Sequence, residues 1–554
     1  MKYRKKVFVL IILVMALFIM SACAKNNVPS FDEQGRPIIR MFINQGNEFD
    51  GVRKDRIWQE IERNSNVSLR IEGATHNSDY YTTLSPMINT GDFPDLVFTV
   101  PGDAPNAYAN WVNQDIFVNL DILLAEKPGE YPWIEKIMNS QQYRNISYGE
   151  GQRTLLPYIT SANGWGIYYR KDWLINVGYY DMVNDVKVAR TPVTIEEFEE
   201  VLRLFTENDP DQNGLKDTWG LSPHGEPFFL NPLYGAFGVT PNYDIVNNEV
   251  VYMYLRDEFK NFLSWFRNMY NSGYIDPQFA TNNNYSDRDK FYEGKVGILI
   301  TNAEQHVTWV ASAFEARNGS DLLMFGDAPI GTKNLGMEGV GGFSNWGGWW
   351  GGYSITTAAK NPHAVLRFLD YLYSPEGTML RTYGIKDVHY SINNNGEIIP
   401  NIEERNKEPE NTFYMTNDSV TGTSLPTGFY RMGYGFSNMI DWNRFETDGF
   451  VGAKLDPFMI NPNYAQLIQE AMTKNTLITN RLVNITSYYP AFNLKMNRME
   501  DYIDTYIINA IMGNRNLTTD WNTMLTTLRQ PSYDWDNIKL MIMEVAEQAG
   551  VLDD

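Results

Sequence analysis

Among 554 residues there is one cysteine, Cys23. A lone cysteine allows no internal disulfide, and once it is committed elsewhere no thiol remains for catalysis or metal binding. Catalytic signatures are also scarce. None of the five histidines (His76, His224, His306, His363 and His389) stands in an HExxH pattern. There is no G-x-S-x-G elbow and no Walker loop, and the glycines of 339–344 stop short of a G-x-G-x-x-G. A carboxylate pair for glycoside cleavage stays open, because 67 acidic residues allow many pairings. Positive charge is short as well. The 46 Lys and Arg leave a net charge of −21, which argues against nucleic acid and against adsorption to anionic lipid. The apolar run at 7–20 has 14 residues, below the roughly 20 that a spanning helix needs. No internal repeat or low-complexity tract is present.

That run has its own context. Lys2, Arg4, Lys5 and Lys6 precede it, and Ser21 and Ala22 follow it, which is the layout of a secretory signal. Met20-Ser21-Ala22-Cys23 resembles a bacterial lipobox, with Met where Leu is usual. The resemblance implies cleavage before Cys23 and lipidation of that residue; an uncleaved signal anchor is the alternative. Residues 1–22 are therefore expected to be a signal peptide and 23–35 a lipidated tether. Each buried methylene contributes about 0.8 kcal/mol, so two or more acyl chains hold firmly where one would not. Loss of the four leading cations takes the mature charge to about −25. The roughly 530 remaining residues suffice for two or more domains. Aromatics reach 14%, with 34 Tyr and 14 Trp. Many belong in cores, but such an excess also suits a groove whose ring faces stack on sugars.

Periodicity gives the organisation. Ile38 to Ile43 reads as a strand, 56–64 as a helix, 67–71 as a strand, 80–89 as a helix and 95–98 as a strand, a β-α-β-α-β rhythm of parallel strands with crossover helices. The rhythm resumes with a strand at 166–169 and a helix at 171–177. Thr194 with Glu197 forms a capping box, and Ile195, Phe198, Leu202 and Phe205 mark the buried stripe of the helix behind it. Helices are expected at 262–270 and 287–292, and strands at 296–301 and 353–355. Asn361 caps a further helix with Pro362 at its first position. Beyond 460 the pattern is mainly helical, including 465–472 and 541–548.

Several segments together resemble extracellular solute-binding proteins of family 1, the group of maltose-binding protein, and more narrowly the larger LipO-type lipoproteins. They are Gly91-Asp92-Phe93-Pro94-Asp95, Tyr169-Arg170-Lys171-Asp172-Trp173-Leu174, Thr194-Ile195-Glu196-Glu197-Phe198, Phe291-Tyr292-Glu293-Gly294-Lys295-Val296, Asn361-Pro362-His363-Ala364, Ser374-Pro375-Glu376-Gly377, and Ile511-Met512-Gly513 followed by Asp520-Trp521. The resemblance covers about 36–545 and rests on their order and spacing. It implies an α/β, two-lobe periplasmic-binding-protein-like fold of type II, with hinge-linked lobes and a helical C-terminal region. The first lobe is expected to hold 36–165 with 352–420, and the second 166–351 with 421–554. It further implies a monomeric, non-enzymatic subunit of an ABC importer that captures an oligosaccharide or sugar derivative and presents it to the permease. It would be lipid-anchored on the outer face of a Gram-positive-type cell membrane. A secreted carbohydrate-active hydrolase or lyase, and a surface sensor or adhesion lipoprotein, are the rival classes.

The candidate sites follow. Asp209, Asp211, Asn213, the Leu215 carbonyl and Asp217 supply oxygens at positions 1, 3, 5, 7 and 9 of an EF-hand-like loop with Gly214 at 6, a spacing that suits calcium. Position 12 is Gly220 rather than Glu. Some alginate-binding relatives carry a structural calcium in such a loop with an acid after position 9, where this chain has Thr218. A hydrated Asx-rich turn without an ion is the alternative. Trp346, Trp349 and Trp350, set among glycines, are candidates to present indole faces to a sugar, against a role in packing. Glu226-Pro227-Phe228-Phe229 resembles the Glu-Pro-Tyr-Phe segment with which maltose-binding protein contacts its sugar, which makes Glu226 and Phe228 ligand candidates. Asn302 and Glu304 follow a strand where the family has a ligand-facing loop. Trp165 precedes the strand that crosses between lobes and is a hinge or cleft candidate.

Overall fold

In the computed structural model the described residues are 29–44, 55–74, 77–99, 105–140, 143, 147–148, 152–159, 165–240, 243–283, 286–333, 343–344, 349–394, 398–409, 412, 416–417, 424–425, 477–478, 487–488, 490–548 and 552. The expected helix at 465–472 lies outside them.

Two sheets carry the molecule. The first contains β1 (Ile38–Asn44), β2 (Ser68–Ala74), β3 (Leu96–Thr99) and β4 (Leu156–Ile159). The second contains β5 (Trp165–Arg170), β6 (Trp219–Leu221), β7 (Val296–Asn302) and β8 (Leu323–Gly326). The chain then returns to the first sheet through β9 (Trp349–Ile355), giving orders β2-β1-β3-β9-β4 and β8-β5-β7-β6. The first three strands are parallel, with Ile38 opposite Ser68 and Met41 opposite Leu96, as the β-α-β rhythm requires. The chain therefore has the α/β, two-sheet architecture expected from sequence.

The helices behind the sheets form for legible reasons. In α1 (Arg56–Ser65), Asp55 caps the first turn by accepting from the Trp58 N–H, and Ile57, Trp58 and Ile61 are buried. Residues Asn77–Thr90 form α2, Pro105–Asn113 α3 and Lys171–Asn176 α4. Helix α5 (Ile195–Glu207) begins at the capping box: Thr194 Oγ1 accepts from Glu197 N at 3.2 Å. The Glu197 carboxylate reaches one residue further back than the motif prescribes, to Val193 N at 2.7 Å. The stripe Ile195, Phe198, Leu202 and Phe205 is fully buried. Phe205 and Trp173 lie so close to Gly297 of β7 that a Cβ there would stand 2.1 Å from the Phe205 ring. Helices α6 (Asp257–Asn271), α7 (Ser286–Tyr292) and α8 (Ala303–Asn318) complete the second sheet's cover. In α9 (Pro362–Tyr373) the Asn361 side chain accepts from Ala364 N, as its sequence predicts. Helix α10 (Pro490–Ile511) packs on α3 beside the first sheet and on α6 beside the second, and α11 (Trp535–Gln548) lies against α10.

The buried cores follow the sheets. One joins residues of 39–156 to residues of 353–380, a second joins residues of 167–328 to residues of 499–546, and a third holds Tyr168, Phe291, Leu299 and Phe314 on the second sheet's other face. Two hairpins were not anticipated, the largely exposed Tyr180–Val183 with Val186–Ala189 and the largely buried Tyr243–Val246 with Glu249–Tyr252. Among the described residues no helix is long and apolar enough to cross a membrane.

Candidate functional site

Strand direction locates the junction between the sheets. Trp349 pairs with Ile159 at the edge of the first sheet where parallel β3 ends. Trp165 pairs with Asn302 at the C-terminal end of β7. Only five residues separate Ile159 from Trp165, so a short connection joins these two strand ends. Carboxyl ends of strands at such a junction are where open α/β sheets hold ligands. Of the candidates, Trp165 and Asn302 thus stand at the strand end just after this connection, and Trp349, with Trp350 next along β9, beside the strand end just before it. Glu304 is not in a loop: β7 runs directly into α8, and Glu304 is its second residue. Trp346 and Cys23 lie outside the described residues.

Because β6 runs parallel to β7, the segment after Leu221 emerges at the same edge. A polar network fixes it. Asn282 donates to Ser222 Oγ at 2.7 Å and to the Pro223 carbonyl at 2.8 Å, Ser222 donates to Asp276 at 2.6 Å, and Lys290 donates to Asp276 and Asn282. The Gly225 N–H reaches the Asn282 carbonyl at 3.1 Å, and a Cβ on Gly225 would stand 2.8 Å from that oxygen. Glu226 is exposed where this segment ends. Phe228 belongs to the turn Pro227–Leu230 that follows.

Sequence reading missed His224. It is 5% exposed and stacks on Phe229 with ring centres 3.9 Å apart. Its Nδ1 accepts the Glu226 N–H at 3.0 Å, which puts the ring proton on Nε2. Burial, aided by the charge of Arg288, pushes its pKa down to about 4, so the ring is neutral. Arg288 itself donates to Thr301 Oγ1 near the end of β7 at 3.2 Å. Sequence gave no sign of His224, because a single histidine without metal-ligand spacing has no pattern.

Helix α10 brings further acids. Desolvation raises the Glu226 carboxyl. Asp504 is pushed up to about 6, first by desolvation and then by the charges of Glu226 and Asp501. Glu500, one turn earlier, rises to about 7 through desolvation and the charges of Asp504 and Asp501. Among the described residues, no cation offsets any of the three.

The Asp209–Asp217 loop lies at the opposite edge of the second sheet, before β6. It is shaped as a turn, with positive φ at Asp209, Gln212 and Gly214. Asp209 accepts from Asn213 N and Gly214 N, both at 3.0 Å. The Asn213 side-chain nitrogen stands between two carboxylates, 2.9 Å from Asp211 and 3.2 Å from Asp217. Lys295 also donates to Asp217, at 3.0 Å. Among the described residues, no three His, Cys, Asp or Glu side chains gather as a metal-holding cluster. Yet Asp211 Oδ1 is buried with no partner, and the Asp211 carboxyl is raised, first by desolvation and further by Asp209 and Asp217. That one unpartnered oxygen is the feature that suits a hard cation, whereas the Asn213 amide oxygen is already engaged by the Leu215 N–H at 2.7 Å. Thr218 adds nothing, since its hydroxyl is buried and donates to the Phe205 carbonyl at 2.8 Å.

Comparison with known proteins supplies a context. The profile of the family described as bacterial extracellular solute-binding protein matches residues 52–379. The polygalacturonan/rhamnogalacturonan-binding protein YtcQ of Bacillus subtilis is 25% identical over 349 residues, 61% of this chain and 64% of YtcQ. Lipoprotein LipO of the same organism is 26% identical over 290 residues, 48% of this chain and 54% of LipO. The chain thus aligns with less than two thirds of each of these curated relatives. Among solved structures, alginate-binding protein AlgQ2 without calcium ion superposes with a TM-score of 0.63 at 17% identity, covering 92% of this chain and 97% of AlgQ2. The FusA substrate-binding protein of S. pneumoniae with kestose gives 0.63 at 17%, covering 93% and 100%. These structures share the fold.

Proposed function

Because the chain belongs to the bacterial extracellular solute-binding proteins, we propose that it captures an extracellular carbohydrate for an ABC importer. Capture here is binding without chemistry. The sugar bridges two lobes, favours their closed arrangement, and the closed form is read by the permease subunits. The observation that supports this reading is the short connection between a strand end of the first sheet at Ile159 and one of the second at Trp165. Trp165 and Asn302 lie at that end of the second sheet, where the 222–226 segment with its exposed Glu226 also emerges, and Trp349 pairs with Ile159 in the first. Phe228, Trp346, Trp350 and Glu304 complete the proposed ligand set. Aromatic faces for sugar rings beside polar groups for hydroxyls are what such a ligand needs. YtcQ and FusA, which bind polygalacturonan or rhamnogalacturonan and kestose, support a carbohydrate. The lobe division of 36–165 with 352–420 against 166–351 with 421–554, and a monomeric state, belong to the same proposal.

The test is thermal stabilisation against a panel of rhamnogalacturonan and polygalacturonate oligomers, alginate oligomers, kestose and nystose, with reducing ends measured in parallel. Stabilisation by at least one panel member without release of reducing ends is expected. Turnover abolished by a single Asp or Glu substitution would make the protein a hydrolase or lyase instead.

Calcium in the Asp209–Asp217 loop is part of this reading, as a structural ion held by Asp209, Asp211, Asn213, the Leu215 carbonyl and Asp217. One FusA structure is described as an EF-hand mutant, which supports it. Chelation should lower the melting temperature of the parent and leave an Asp209→Ala, Asp211→Ala variant unmoved. A parent indifferent to chelator removes calcium from the account.

A further inference from the structure

Asn231 is 1% exposed, and neither its Oδ1 nor its Nδ2 has a hydrogen-bond partner. A side-chain amide has two donor hydrogens and an acceptor oxygen, and burying them unpaired costs free energy that a leucine of similar volume would not. Its surroundings are of the kind that normally select leucine. Leu230, Leu233, Tyr234, Ala236 and Phe237 are all buried around it in the chain. A polar group kept there at a cost in one arrangement of a two-state protein points to a gain in the other.

Its location says which other arrangement. The helical turn Asn231–Tyr234 follows directly on Pro227–Leu230 and packs against two segments, β5 and Phe343–Ser344. The first has just entered the second sheet through 160–164; the second leads back to β9 in the first. Under the hinge-bending reading above, a lobe rotation that shifts these crossings relative to the turn is the route by which a ligand would reach the amide.

We propose that Asn231 is a specificity residue of the ligand-bound arrangement, in which its amide pairs with two neighbouring hydroxyls of the bound sugar. Adjacent carbonyl and NH2 groups match a vicinal diol, because each hydroxyl both donates and accepts. The proposal rests on the carbohydrate-binding reading above.

The experiment titrates the panel oligosaccharide that binds the full-length mature parent most tightly into Asn231→Leu and Asn231→Asp, with ligand-free melting recorded for all three. Asn231→Leu should melt at or above the parent while its Kd weakens by about tenfold or more, the loss of one good polar contact. Asn231→Asp keeps the shape and the acceptor but loses the donor, and should fall between. Unchanged affinity in Asn231→Leu overturns the proposal. So does a lower melting temperature or failure of that variant to fold, because the amide would then serve the ligand-free fold. A parent that binds no member of the panel overturns the carbohydrate reading along with it, whereas a leucine variant that binds like a binding parent overturns this inference alone.

Discussion

Gly220 occupies the place where a complete calcium loop carries its last, bidentate acid. The structure gives a reason for the glycine: a Cβ at that position would stand 2.7 Å from the Cα of Leu202 and 2.8 Å from its carbonyl oxygen. The first residues of β6 are pressed against α5, so the loop cannot be completed at its twelfth position without parting strand from helix. Installing the missing acid is therefore expected to harm the fold and not to tighten calcium. Gly220→Glu should lose about 2 kcal/mol or more of unfolding free energy, an overpacking cost, as read from urea denaturation with and without calcium. A variant as stable as the parent, or one made more stable by calcium than the parent is, would contradict this. Residue-scale legibility was mixed for the same reason. Spacing identifies oxygen ligands in order, but the obstruction at Gly220 and the unpaired amide of Asn231 exist only once distant segments are packed.

Helix α10 belongs to the next scale, because it packs against helices of both sheets. It carries Glu500 and Asp504 one turn apart, where Tyr234, Tyr243 and Tyr252 lie within their field. Glu500 rises from 4.5 to about 7, so over that interval the folded chain holds a proton that the unfolded chain has released. Its contribution is thus full below about pH 4.5 and is lost as pH rises through 7. The His224 ring works the other way, since its pKa falls from 6.5 to about 4 and its contribution is lost as pH falls across that span. The two are separable by substitution. Glu500→Gln should be more stable than the parent at pH 8, by on the order of 1–2 kcal/mol after allowing for partial exposure, and indistinguishable from it below about pH 4. Melting curves across that range check it; a constant offset at every pH would show that burial of the charge is not the cause. Most elements were legible because they bury one face. The Phe198–Phe205 stripe of α5 and the strands of the first sheet follow the periods of 3.6 and 2. The hairpin Tyr180–Ala189 was not, because Met182, Val183, Val186 and Val188 are apolar yet exposed, and apolar residues that face water carry no period. The loop expected at Glu304 failed differently: the end of a strand was visible, but not that α8 starts at the next residue.

At the scale of the whole molecule, charge and anchoring bear on one another. A chain of −21, and about −25 without residues 1–22, is repelled by an anionic lipid surface, so electrostatics cannot hold it to a membrane. Under the proposed function, retention beside a permease is then expected to come from acyl chains on Cys23, a residue outside those the structure describes. This separates two modes of attachment by experiment. In cells that make the full-length chain, Cys23→Ser should appear in the medium or remain as an uncleaved precursor, while the parent stays with the membrane fraction. Salt washing should release none of the parent, because methylene burial is insensitive to ionic strength, and detergent should release all of it. Purified mature chains of both kinds should bind the same panel sugar equally, since Cys23 lies 15 residues before β1 begins at Ile38. Salt-releasable parent would replace the lipid with a protein partner at the surface, and a Cys23→Ser chain that stays membrane-bound after processing would remove the cysteine from the anchor altogether.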